Sequence, residues 1–316
     1  MPSWQLATVT LNSTLDRVVL IPDLAPGEIY NVKIVVTLAG GKGVNVARAA
    51  HALGAELMVT GLVAGPCGRW ICTLLEQEGI PGRFVSLDQG DSRISTILVD
   101  PSREQTTVIN DLGPSVLVGR WVSIRLQLLQ IVEGYPWVAL CGSGLPGLPD
   151  SVYADLCADI QAHGQRVCLD ARGPWLAEAL AAQPYLVKCN QDEAAQVAGF
   201  PIHGPPEALR AAWHWLGRGV QRVMITLGEQ GAIATEGSDA WYIQAPRVKA
   251  LCPIGSGDAA LAGLIAGMAR GDPLPVAARL GVAVGAANAL VLGSGRCALD
   301  ALPDLMRSTL VRPLRA

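Results

Sequence analysis

The stretch WVALCGSGLPGLPDSVYADLCADIQAHGQRVCLDA, residues 137–171, sets two short apolar runs on either side of a longer segment of helical character. WVALCGS and RVCLDA have the length and content of buried strands, and SVYADLCADIQAHG between them supplies a helix. The same alternation spreads outward in both directions. QLATVTL, LMVTGLV, YLVKCN and RVMITLG are further strand-like runs, and GVNVARAAHALGA is a further helix-like one. Strands alternating with helices predict an α/β fold, a mainly parallel sheet covered on both faces. In such sheets ligands bind beyond the carboxyl ends of the strands. The polar residues that follow WVALCGS, YLVKCN and RVMITLG fall there.

Two segments break the rhythm. Residues 16–38 and 92–110 are rich in β-branched residues, with turn breaks at APGE and DPSRE, and read as hairpins outside the main alternation. Together they form either a small sheet lying over the site as a lid or an extension of the main sheet's edge. No repeat, low-complexity tract or interdomain linker interrupts the 316 residues, which suit a single large α/β unit with an appendage. Half of the residues are hydrophobic, and the net charge of −3 with a pI near 5.8 provides no basic field for nucleic acid or an anionic membrane. The apolar runs are too short to span a bilayer and the first residues lack a signal peptide's pattern, so a cytoplasmic protein is expected. The eight cysteines and four histidines show no metal-ligand spacing, and the cysteines read mainly as buried small hydrophobes.

Four motifs carry chemistry. In CPIGSGDAALAGLIAGMA, residues 252–269, Gly255 and Gly257 around Ser256 let the chain turn tightly ahead of a buried helix, exposing N–H groups that bind anions. Asp258 then either caps the helix or accepts a proton beside a phosphate. In AGGKGVNVARAAHALG, residues 39–54, Gly40, Gly41 and Gly43 permit close approach to a ligand, Lys42 supplies charge and Asn45 directional hydrogen bonds to hydroxyls. An ordinary strand-to-helix turn with Lys42 in solvent is the plainer alternative. In KCNQDEA, residues 188–194, Asn190 and Glu193 are oxygen donors that suit Mg²⁺, or a helix cap with Glu193 reaching back. In ITLGEQGAI, residues 225–233, Gly228 and Gly231 suit a backbone shelf for a nucleotide or any hairpin. Arg93 in DSRIS and Ser143 in CGSGLPG are candidates for a substrate phosphate.

Taken together and in this order, these residues resemble the ribokinase-like (PfkB) family of sugar kinases, from NSTLD near the start to GAANAL near the end. The resemblance implies a three-layer α/β/α sandwich around a nine-stranded, mainly parallel sheet, with a small β-sheet lid formed by about 16–38 and 92–110, and a homodimer through that lid. It makes Asp258 the catalytic base, with Gly255, Ser256 and Gly257 as the anion hole. It places Asn190 and Glu193 near Mg·ATP, with Lys188, Thr226 and Gly228 on the nucleotide and Gly231 on the same shelf. It assigns Asp16, Gly41, Lys42 and Asn45 to the sugar, and it admits potassium as a further cofactor.

NVARAAHALG after GGKG resembles the hexose-phosphate kinases, in which Arg93, Lys42 and Ser143 would hold the acceptor's existing phosphate. APGEIYNVK, with Lys33, is similar to the 1-phosphofructokinases, whereas PIGSGDA is similar to the tagatose-6-phosphate kinases. Asn31 stands where some members have an arginine, Cys189 replaces a usual proline, and Gly144 alters a usual Ser-Leu-Pro turn. The implied activity is ATP-dependent phosphorylation of fructose 1-phosphate or tagatose 6-phosphate. The alternatives are a kinase of an unphosphorylated sugar or a nucleoside, and a catalytically silent sensor on the same fold.

Overall fold

A computed structural model describes residues 4–117 and 119–314. Fourteen strands occur among the described residues. In chain order they are β1 (Trp4–Thr10), β2 (Thr14–Leu20), β3 (Val35–Gly40), β4 (Ala55–Ala64), β5 (Val85–Leu87), β6 (Arg93–Asp100) and β7 (Gln105–Asn110), followed by β8 (Trp137–Gly142), β9 (Arg166–Ala171), β10 (Leu186–Asn190), β11 (Arg222–Thr226), β12 (Gly231–Glu236), β13 (Asp239–Gln244) and β14 (Leu310–Leu314). All six apolar runs read from the sequence are strands of one sheet, ordered β14-β13-β12-β11-β10-β9-β8-β1-β4-β5. From β5 to β11 neighbours pair in parallel, and β12, β13 and β14 continue antiparallel.

The sheet thus has ten strands, not nine. Its edges are the three-residue β5 and the Pro-containing β14, neither of which stands out as an apolar run. Alternation along the strands feeds two cores. Val138 and Leu140 of β8 enter one, with the Trp121–Val132, Val152–Ala162 and Pro205–Leu216 helices. Trp137, Ala139 and Cys141 enter the other, with the Lys42–Ala52, Gly65–Gln77, Ser256–Ala269 and Leu274–Ala289 helices. Burial on both faces explains why these strands read as continuous apolar runs. All eight cysteines are free; five are buried and three half-buried. Among the described residues no helix is long and apolar enough to cross a membrane.

The two β-branched segments form a separate four-stranded sheet, ordered β3-β2-β6-β7. β2 with β3 and β6 with β7 are antiparallel pairs, joined by parallel pairing of β2 with β6. Its inner face carries Val18, Ile97 and Val99, which pack on Cys252, Ile254 and Leu292. Those contacts set the small sheet against the segment that leads into the Ser256–Ala269 helix.

Candidate active site

Gly255 is the residue that starts the Ser256–Ala269 helix, in the left-handed region at φ 87°. A side chain there would press on the backbone of Ser294 and Gly295, at 2.8 and 2.9 Å. Asp258 is therefore the third helical residue, and it does not cap: no side-chain cap bond closes this helix. Its carboxylate turns inward and accepts from Asn45 Nδ2 at 2.8 Å. Of the three N–H groups read as an anion hole, that of Ser256 donates to Pro253 O at 3.1 Å, which leaves those of Gly255 and Gly257 to an incoming anion, as a helix start allows. A Cβ on Gly257 would lie 2.8 Å from Lys188 Nζ, so this ammonium sits directly against the helix start.

Behind Asp258 runs a chain of alternating charges. Lys188 and Asp170 face each other on β10 and β9, with Nζ to Oδ2 at 2.7 Å, and both are buried. Asp170 Oδ1 accepts from Lys42 Nζ at 2.6 Å, and Lys42 Nζ also donates to Glu193 Oε1 at 2.7 Å. Burial opposes the charge of Asp170, but Lys188 and Lys42 outweigh it and hold the carboxyl below the usual range. Burial also opposes the charge of Lys188 and Lys42, and in each Asp170 is the largest influence that restores it. Asp258 lacks such a partner. Burial first, then the charge of Asp170, push it up to about 7, against the pull of Lys42, Lys188 and the Asn45 hydrogen bond. A carboxyl so placed exchanges its proton near neutral pH.

Asn45 is itself oriented. Its Oδ1 accepts from Arg48 Nη1 at 3.4 Å, which leaves Nδ2 to face Asp258. Arg48 is buried and fixed by Glu78, by Ser294 O at 2.8 Å and by Ala39 O at 2.6 Å.

At the end of β10, Asn190 caps the Gln191–Ala198 helix with a full capping box: Glu193 N donates to Asn190 Oδ1 at 2.8 Å and Asn190 N to Glu193 Oε2 at 3.0 Å. Each Glu193 oxygen accepts one hydrogen bond and keeps a lone pair, so the donor set still suits Mg²⁺ held partly through water. Thr226 ends β11 beside Asn190 and donates from Oγ1 to Cys189 O at 3.3 Å. Gly228 faces open space, whereas a side chain at Gly231 would collide with Ile243 O on β13. Gly231 is thus fixed by the β12–β13 pairing.

Gly40, Gly41 and Gly43 of the 39–54 motif likewise face protein. A Cβ at Gly40 would strike the Asp16 carboxylate, one at Gly41 would meet Thr10 Cγ2 at 2.8 Å, and one at Gly43 would strike Thr10 Oγ1. The close approach that requires glycine at these positions is to β1 and β2. Asp16 is buried on β2, and burial pushes it up to about 6 against the charges of Arg48 and Arg93. Arg93, at the start of β6, donates from Nε to Asn12 O at 3.4 Å and from Nη1 to Asn110 Oδ1 at 3.3 Å. Asn12 Nδ2 in turn reaches Ser143 Oγ at 3.5 Å. Arg93 and Ser143 are thereby brought together through Asn12, while the hydrogen bonds of Lys42 go to Asp170 and Glu193 instead. Asp170, Arg48 and Asn12 escaped the sequence reading. The only signal was position: Asp170 closes the strand run RVCLDA, and Asn12 opens the NSTLD segment.

The sequence and the fold have counterparts among known proteins. The model of the pfkB family carbohydrate kinases matches residues 9–301. A 1-phosphofructokinase of Rhodobacter capsulatus is 33% identical over 280 residues, 88% of each chain. One of Bacillus subtilis is 29% identical over 300 residues, covering 94% of this chain and 97% of that one. Among solved structures, phosphofructokinase-2 from Escherichia coli in complex with potassium superimposes with a TM-score of 0.87 at 26% identity, over 96% of this chain and 98% of that one.

Proposed function

The chain belongs to the pfkB family of carbohydrate kinases, and from that premise we propose that it transfers the γ-phosphoryl group of ATP to the free primary hydroxyl of fructose 1-phosphate. It is a sugar kinase, a phosphotransferase acting on sugar phosphates. The choice of acceptor rests on the relatives named 1-phosphofructokinases. The observation that carries the chemistry is Asp258, a buried carboxyl at about 7, aimed by Asn45 and standing over an uncapped helix start beside Lys188.

Phosphoryl transfer demands positioning and charge stabilisation more than covalent help. Asp258 takes the proton from the acceptor hydroxyl as its oxygen attacks in line. The N–H groups at Gly255 and Gly257, with that of Ser256 turned from Pro253 O and with Lys188, stabilise the charge on the moving group. Asn190 and Glu193 would hold Mg²⁺, which when bound would neutralise charge on the nucleotide's phosphates. Thr226 and Gly228 flank the nucleotide. Asp16 and Asn45 bind sugar hydroxyls at the Gly41 turn, and Arg93 and Ser143 hold the acceptor's own phosphate. Lys42, between Asp170 and Glu193, works from the Mg²⁺ side of the site. The small sheet closes over the acceptor as a lid and excludes water, so that ATP is not hydrolysed instead.

The test is coupled ADP release with Mg·ATP against fructose 1-phosphate, tagatose 6-phosphate, fructose 6-phosphate and the free sugars. It is run in potassium and in sodium salts, because potassium accompanies the Escherichia coli structure. Asp258→Asn is assayed alongside. Turnover on fructose 1-phosphate, reduced about 10²–10⁴-fold in the variant, is the expected result. Preference for another acceptor would move the substrate assignment, and near-normal turnover in the variant would remove Asp258 from its role.

A further inference from the structure

β8 and β9 run in parallel with Gly142 opposite Ala171, so the next residues, Ser143 and Arg172, leave the sheet side by side. Ser143 is the hydroxyl tied through Asn12 to Arg93. Arg172 is exposed and makes no hydrogen bond or ion pair among the described residues. It lies near enough to Arg93 for its charge, after burial, to weaken that guanidinium's hold on its proton, with Asp16 and Asp111 acting the other way. Two guanidiniums whose charges reach each other, one of them without any ion-pair partner among the described residues, are a repulsive arrangement that an anion between them would relieve.

Three residues further on, Trp175 adds a second observation. Its indole Nε1 is shut off from solvent and has no acceptor. A Cβ at Gly144 would lie 2.8 Å from that nitrogen, so the indole rests on the turn that follows Ser143, and Gly144 is the residue that leaves room for it. A buried donor without an acceptor is costly unless a ligand supplies one. The ligand that satisfies two guanidiniums, a hydroxyl and an indole N–H at once is a phosphate monoester, with three terminal oxygens and a double charge.

We propose that Arg172 and the Trp175 N–H complete, with Arg93 and Ser143, one subsite for the phosphate ester already carried by the acceptor, and that Arg172 sets the preference for phosphorylated over free sugars. This rests on the kinase reading above. Arg172 supplies from the sheet's end the second positive charge that Asn31, on the small sheet's long connection, does not bring.

The experiment compares wild type with Arg172→Met, Arg172→Lys and Trp175→Phe, which keeps the ring over Gly144 and removes the N–H. Steady-state KM and kcat are measured for fructose 1-phosphate, for free fructose and for ATP, and inorganic phosphate binding is measured by calorimetry. The expected result is a KM for fructose 1-phosphate raised about tenfold or more in Arg172→Met, partly restored in Arg172→Lys and raised severalfold in Trp175→Phe. KM for ATP and turnover of free fructose stay within about twofold, so the preference for the phosphorylated sugar shrinks. Unchanged KM for fructose 1-phosphate in Arg172→Met, with the wild type active, overturns the inference and leaves the kinase reading standing. If the wild type phosphorylates none of these sugars, the kinase reading fails by itself and phosphate binding decides: weakened in Arg172→Met supports the subsite, equal affinity overturns it.

Discussion

Asp258 is buried, lacks a cationic partner of its own and stands near the charge of Asp170, so ionising it works against the folded state. Its folded pKa, about 7, lies above the unfolded value, and the folded chain therefore holds this proton more tightly. The stability linked to it is present at low pH and is lost as pH rises through about 7. Asp258→Asn should accordingly be more stable than wild type at pH 8, by up to about 4 kcal/mol, with a smaller gain at pH 5. An equal gain at both values, read by thermal melting, would sink the linkage. In the proposed mechanism catalysis runs the other way, since Asp258 as the base must be ionised: kcat should fall on the acid side of about pH 7. Asn45 donates to the carboxylate and lowers its pKa, so Asn45→Ala should move this acid limb to higher pH. Asp170→Asn removes a like charge and the carboxylate that Lys188 and Lys42 share, although Lys42 keeps Glu193, so it should move the limb to lower pH. It should also destabilise the chain by about 3 kcal/mol or more, because Lys188 is left buried without its partner. A limb that stays in place in both variants, measured by full pH–rate profiles, would mean that another group titrates.

The proposed anion hole is held from behind by one helix pair. Ser256–Ala269 and Leu274–Ala289 meet at glycines: a Cβ at Gly263 would lie 2.9 Å from Gly281 Cα, one at Gly281 would lie 2.7 Å from Ala260 O, and one at Gly285 would lie 2.8 Å from Ser256 O. Gly285→Ala therefore pushes on the first residue of the catalytic helix. It should destabilise by about 1–3 kcal/mol and lower kcat more than it raises the acceptor's KM, because the groups displaced act on the charge of the transition state. A change in KM alone would place Gly285 outside the catalytic geometry. The same elements show how far the sequence could be read. Apolar runs located the central strands because burial on both faces leaves few polar residues in them, and the β-branched segments located the small sheet. The edge strands β5 and β14, half in solvent, carry no such pattern. Glycines marked the right turns, but their partners, Thr10, Asp16 and Ile243, come from distant strands. Asp170 was hidden for the same reason: its bonds to Lys42 and Lys188 follow from strand order and register. Arg48 meets Asn45 one turn away on its own helix, but the bonds that fix it go to Glu78, Ser294 O and Ala39 O outside that helix.

At the scale of the whole molecule, the small sheet has a second face. While Asp16, Val18, Ile97 and Val99 look toward the site, Leu15, Val35, Ile94 and Ile109 line a hollow of about 590 Å³ with Trp70, rimmed by Arg17, Thr37, Thr96 and Asp111. Ile109 is 56% exposed and Trp70 49%, which is costly for a face of this apolarity if it stays in water. A twofold pairing of this face with its copy would bury it, and Arg17 with Asp111 at the rim offers opposite charges that can meet across such an axis. The lid of the resemblance is thus expected to be the dimer interface, and the wild type should elute with the mass of two chains in light scattering. Ile109→Asp places a charge in the centre of the face and should yield a folded monomer. Because β2 and β6 also carry Asp16 and Arg93, releasing their outer face loosens the inner one, and the monomer's KM for the acceptor should rise while its KM for ATP holds. A monomeric wild type, or an Ile109→Asp variant with unchanged mass, would show that the hollow is not where two copies meet. A monomer with unchanged acceptor KM would show that the small sheet keeps its place over the site without a partner.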